Sequence, residues 1–71
     1  MKIRFYYISR KGDELLAVKD YKDCPIPRSG ETVMVEGHGY VAMRCIYDLD
    51  IDTTHVLCRR QNNYHVSQTV N

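Results

Sequence analysis

Residues 24–50 read "CPIPRSGETVMVEGHGYVAMRCIYDLD", and their punctuation decides the fold. Each of Pro25 and Pro27 disfavours helix at the residue before it and removes a backbone donor, so residues 23–27 run extended as a connector. Arg28-Ser29-Gly30-Glu31 has turn chemistry and feeds a strand over residues 32–36, where Val33 and Val35 face one way and Thr32 and Met34 the other. Gly37-His38-Gly39 then reverses the chain into a strand over residues 40–47. Alternation along that strand sets Val41, Met43, Cys45 and Tyr47 against Tyr40, Ala42, Arg44 and Ile46. Both sets hold large apolar groups, which points to a bent strand serving two sides of a barrel through a bulge.

The same period of two extends outward from this stretch. Residues 2–9 place Ile3, Phe5 and Tyr7 opposite Lys2, Arg4 and Tyr6, the pattern of a half-buried strand. Arg10 to Asp13 form a turn in which Gly12 takes a positive φ, and residues 14–21 return as an antiparallel partner. The run Leu15-Leu16-Ala17-Val18 breaks the alternation but is too short and uncapped for a helix. After an acidic loop over residues 48–53, residues 54–59 form a fifth strand with Val56 and Cys58 opposite His55, Leu57 and Arg59. Residues 1–60 thus make one small β-domain. Residues 61–71 are a polar tail for which a sixth strand and disorder are equal expectations.

A chain of 71 residues with 44% hydrophobic content is a single thin-cored domain, and self-association or a partner is one way for such a core to gain stability. A net charge of +1 gives no strong pull toward polyanions or anionic membranes. There is no apolar run of membrane-spanning length and no signal-like block at the N-terminus, so a cytoplasmic location is expected. Cys24, Cys45 and Cys58 are odd in number and widely spaced, which argues for reduced thiols over a disulfide framework or a zinc ribbon.

Short strands at turn intervals favour an all-β fold, a small antiparallel five- to six-stranded barrel. Pro27-Arg28-Ser29-Gly30-Glu31-Thr32-Val33, Gly37, Tyr40-Val41 and Ile46-Tyr47-Asp48 together resemble a pattern in short uncharacterised bacterial and phage proteins with SH3-like barrels. The resemblance covers residues 27–48. It implies the SH3-like form of the barrel and transfers no catalytic or binding residue. It also raises a further reading, an inhibitor of a host protein encoded by a phage or mobile element.

Motifs that would carry catalysis or a metal fall short of their requirements. Asp48, Asp50 and Asp52 have the opening spacing of a calcium loop, but Thr53 stands where that loop needs glycine and Arg59 where it needs a bidentate glutamate. His38, His55, His65 and the cysteines lack the spacing of a compact zinc site. Cys24, beside Pro25, is the expected exposed thiol, yet no orienting base accompanies it. Gly37 and Gly39 lack the further glycine and lysine of a phosphate cradle. No catalytic residue, metal or cofactor is therefore expected, and the chain is read as a non-enzyme.

Two surfaces remain. Met34, Tyr40, Arg44 and Ile46 make an apolar patch with an arginine at its edge, the composition of a protein interface, for a foreign partner or for a second copy. Lys2, Arg4, Tyr6, Arg10 and Lys11, joined by Arg59 and Arg60 if the fifth strand neighbours the first, offer the basic and aromatic combination by which small barrels bind single-stranded nucleic acid. The near-neutral charge weighs against the second surface. The expected function is a non-catalytic β-barrel module that binds protein, with the nucleic-acid barrel as the alternative.

Overall fold

A computed structural model of the chain describes residues 1–61; the proposed tail strand over residues 64–70 lies outside them. Five strands form: β1 (Lys2–Ser9), β2 (Gly12–Asp20), β3 (Thr32–Val35), β4 (His38–Asp48) and β5 (Thr53–Arg60), with one 3-10 turn at Tyr21–Asp23 between β2 and β3. β1 and β2 meet at Ser9 and Gly12 across a two-residue loop, and Gly12 carries the positive φ (125°) at its exit. β3 and β4 join through Glu36-Gly37, whose φ values of 49° and 83° are both left-handed. That pair of positive values is the backbone of a type I′ turn, which matches the twist of the strands it connects. At the end of β2 the Asp20 carboxylate accepts the Lys22 amide at 3.0 Å and turns the chain outward.

The strands lie in the order β2-β1-β5-β4-β3 in one curled, mixed sheet that forms a half-barrel. The antiparallel barrel expected from the sequence is corrected to a mixed sheet at one pair: β1 and β5 run parallel, Lys2 against Thr53 through Tyr7 against Cys58. Counting explains it. Followed along the chain, the five strands alternate in direction, so the first and the fifth run the same way and are parallel where they meet. Here the parallel pair is hydrogen-bonded, and the half-barrel is left open between β2 and β3, the strands separated by the longest connector.

Two bulges set the faces. In β4 the register steps between Ala42 and Arg44, leaving Met43 as the extra residue. Tyr40 and Ala42 therefore share the core side with Cys45, while Val41 shares the other side with Arg44 and Ile46. The bend expected from the two apolar faces of this strand is this bulge, and it regroups the residues on either side of Met43. In β2 the register steps where Phe5 and Tyr6 pair with Ala17 and Leu15, leaving Leu16 as the extra residue. The unbroken apolar run 15–18 is thereby resolved: Leu15 and Val18 face out, Leu16 and Ala17 face in.

The core is small and centred on the parallel pair. Ile3, Phe5, Tyr40, Ala42, Val56 and Cys58 are buried, with Tyr7, Leu16, Val33, Val35 and Cys45 packed around them. Thr54 is fully buried on the same side, opposite Ile3. The connector serves as a lid on one flank. Gly30 donates to Ala42 O at 2.7 Å, Ala42 donates to Glu31 O at 2.9 Å, and Ser29 Oγ donates to the bulged Met43 carbonyl at 3.1 Å. Cys24 and Ile26 of the same connector pack on the core.

Candidate interaction surface

The side of the sheet away from the core has no layer over it among the described residues, and the ladders fix which side chains meet there. One row across β2, β1, β5 and β4 is Val18, Arg4, His55 and Ile46; the next is Leu15, Tyr6, Leu57 and Arg44. Beyond the last β1–β5 pair, Asp13 faces Ile8 on one flank, and Arg59, Val41 and Thr32 form a row on the other. Leu15 (51%), Val18 (47%) and Ile46 (41%) are exposed, and Tyr6, His55 and Leu57 are half-buried against their neighbours. Cross-strand neighbours this close form one continuous surface.

Its polar groups are few and placed. The rings of Tyr6 and His55 touch, centroids 5.7 Å apart and planes tilted by 39°. His55 Nε2 lies 3.7 Å from Asp48 Oδ2 at the rim. None of the ion pairs among the described residues involves Arg4, Arg44 or Arg59. The surface is thus an apolar and aromatic strip with three guanidinium groups that no carboxylate among the described residues pairs with.

The protein-contact set expected from the sequence is only partly assembled. Arg44 and Ile46 stand in adjacent rows of the open face. Met34 is exposed on the same side but at the far end of β3, opposite Gly39 and two rows beyond Arg44. Tyr40 is removed from the set: it is 6% exposed, on the core side, its ring 5.8 Å from Tyr7 and under the Arg60 guanidinium. The bulge at Met43 is the physical reason, since it puts Tyr40 and Ile46 on opposite faces. Leu15, Val18 and Leu57 belong to the surface and were missed. Leu57 was legible as the neighbour of Val56 on an alternating strand, whereas Leu15 and Val18 needed the second bulge.

The basic set divides as well. Because β1 and β5 are neighbours, Arg59 does join Arg4 and Tyr6 on the open face. Arg10 and Lys11 sit in the adjoining β1–β2 loop at the Ile8 end. Lys2 is at the opposite end, 3.7 Å from Asp20. Arg60 points to the other face, its Nη2 3.2 Å from His38 Nδ1.

On the core side, the opening beneath the connector is an apolar groove of about 750 Å³ lined by Phe5, Cys24, Ile26, Pro27 and Val33 among others. Cys24 is half-buried and donates to the Pro25 carbonyl at 3.3 Å. Burial pushes the Cys45 and Cys58 thiols up, and at Cys58 the nearby Cys45 adds to the effect. In the acidic loop Asp48 accepts the Asp50 amide and Asp52 faces the N-terminal ammonium at 3.4 Å. No three of His, Cys, Asp and Glu converge as a metal-binding group among the described residues. No described helix is long and apolar enough to cross a membrane. No protein-family model, no curated protein and no solved structure matches the chain.

Proposed function

We propose that this protein is a non-catalytic interaction module whose open sheet face binds another protein. The observation that carries the reading is the composition of that face: Leu15 and Val18 on one flank, Leu57 and Ile46 on the other, the rings of Tyr6 and His55 between them, and arginines that take part in no ion pair among the described residues. Aromatic and arginine side chains around an apolar centre are the groups that dominate protein interfaces. An SH3-like kinship for the half-barrel, a cytoplasmic setting and an inhibitor role belong to the same proposal and rest on the sequence reading. The test is affinity capture with the wild-type chain beside Ile46→Asp and Arg44→Glu, each checked for an unchanged β-type circular dichroism spectrum. The reading requires a captured protein that both folded variants lose; retention by both removes the open face as the site.

One observation favours a second reading. Tyr6 and His55 form a paired aromatic platform flanked by Arg4, which suits a stacked base with its phosphate. It requires retention on single-stranded DNA or RNA at about 50 mM salt with affinity falling steeply as salt rises. Absence of binding there eliminates it.

A further inference from the structure

β2 is hydrogen-bonded to β1 on one side and is an edge of the sheet on the other. Among the described residues no strand pairs with that other side, so the nine-residue β2 forms a template for another strand. Its side chains say which one. The bulge at Leu16 leaves Asp13, Leu15, Val18 and Asp20 on the open face and Glu14, Leu16, Ala17 and Lys19 on the core side. That order of outward and inward residues is the same read from either end of the strand, with its centre between Leu16 and Ala17.

The symmetry has a geometric consequence. In an antiparallel pair, directly opposed residues project to the same side of the sheet. A two-fold axis between Leu16 and Ala17 sets outward residues against outward and inward against inward along residues 13–20. Adjacent registers fail. Moving the axis onto Leu16 opposes outward Leu15 to inward Ala17, and moving it onto Ala17 opposes inward Leu16 to outward Val18. A full residue in either direction opposes Leu15 to Leu16, or Ala17 to Val18, with the same conflict. The bulge also opposes its counterpart, two residues against two, so the new ladder keeps its count.

We propose that β2 is the docking edge for a second copy of this chain, paired antiparallel about the point between Leu16 and Ala17. In this register Leu15 of one copy lies opposite Val18 of the other, Leu16 opposite Ala17, and Glu14 opposite Lys19, each contact made twice. The charge match selects the occupant. Neither Glu14 nor Lys19 takes part in an ion pair among the described residues, and Leu15 and Val18 are about half exposed in the single chain. Asp13 meets Asp20 at the two ends of the ladder, where the Asp20 charge is already met by Lys2 and the Lys22 amide. The paired half-barrels share one ten-stranded sheet. The backbone ladder runs along the β2 edge and takes Asp13, Leu15 and Val18 from the rows of the open face, so it stands apart from a contact centred on Arg44 and Ile46 of β4.

The test is sedimentation equilibrium on the full chain from about 1 μM to about 1 mM, a range spanning weak and moderate dissociation constants. The expected result is a reversible dimer. Glu14→Lys and Lys19→Glu each weaken it by about tenfold or more, because two attractive cross-strand pairs become repulsive. The double variant carrying both changes restores it to near the wild-type constant. Far-UV circular dichroism on all three variants separates loss of pairing from loss of fold. A monomer throughout the range overturns the proposal, and so does a dimer whose constant ignores the single changes or fails to recover in the double variant. A dimer abolished by Ile46→Asp but indifferent to these charges would place the contact on the open face and likewise overturn the β2 assignment.

Discussion

Replacing valine by alanine at two positions tests which side of the sheet is the core. Val56 is fully buried at the centre of β5, with Phe5 beside it on β1 and Cys45 on β4. Val18 stands opposite Arg4 on the open face and is 47% exposed. The chemical deletion is the same in both. At Val56 the lost transfer energy is about 1.6 kcal/mol, two methylene equivalents at ~0.8 each. An unrelaxed hole of ~50 Å³ at ~24 cal/mol per Å³ adds about 1.2 kcal/mol, for a total near 3. At Val18 only about half of the transfer term applies and no closed cavity forms, so the cost is below about 1 kcal/mol. For a domain of this size, with a total stability of ~3–9 kcal/mol, the first change is severe and the second mild. The assay is urea unfolding followed by circular dichroism, at a chain concentration low enough that self-association contributes nothing. Val56→Ala should lower the midpoint by more than ~1 M and the melting temperature by ~10 °C or more. Equal costs at the two positions would refute the assignment of faces and, with it, the parallel placement of β5 beside β1.

Three further perturbations probe the devices that set the sheet. Deleting Met43 removes the extra residue of β4 yet leaves Ala42 opposite Cys58 and Arg44 opposite Leu57, so cooperative urea unfolding should survive, and loss of the cooperative transition would argue against Met43 as the bulged residue. Glu36→Asn gives the left-handed turn position a residue that tolerates it; stability should rise by ~0.5–1 kcal/mol, and no gain in the unfolding midpoint would argue against the type I′ turn. The Asp20 carboxyl is held below the ordinary aspartate value of 3.8, chiefly by the Lys22 amide and further by Lys2. As pH falls, the unfolded chain takes up this proton first, so the contribution is complete above 3.8 and is lost as pH drops through the lower folded value. Asp20→Asn should flatten the acid limb of the stability curve there, and an unchanged limb would contradict the contact.

The local elements were legible in the sequence because alternation, turn glycines and prolines are local signals. The first strand was placed at residues 2–9 as observed, and the bend in the fourth was read from two apolar faces before its bulged residue was known. The grouping of Val56 and Cys58 against His55 and Leu57 followed from parity alone, and burial shows the first pair to be the inward one. The pairing of β5 with β1 did not follow, because no local pattern states which distant strand is a neighbour or in which direction it runs. Parity counted across an unseen bulge also misplaces side chains: Tyr40 was grouped with Ile46 on that basis and is buried on the other face. Buried Thr54 shows a different limit. Its composition reads as surface, and its position opposite Ile3 makes it core.

The parallel ladder also governs how the polypeptide acquires its shape. On the side away from β2, Lys2 to Tyr7 pair with Thr53 to Cys58, about fifty positions downstream, so loop closure of nearly the whole domain precedes the contacts that repay it. The β1–β2 and β3–β4 hairpins are local and form early, but neither encloses the core until β5 arrives between them. During synthesis on the ribosome the two hairpins must therefore wait with apolar flanks uncovered, and the eight-residue β5 acts as the keystone that turns separate ribbons into a folded protein.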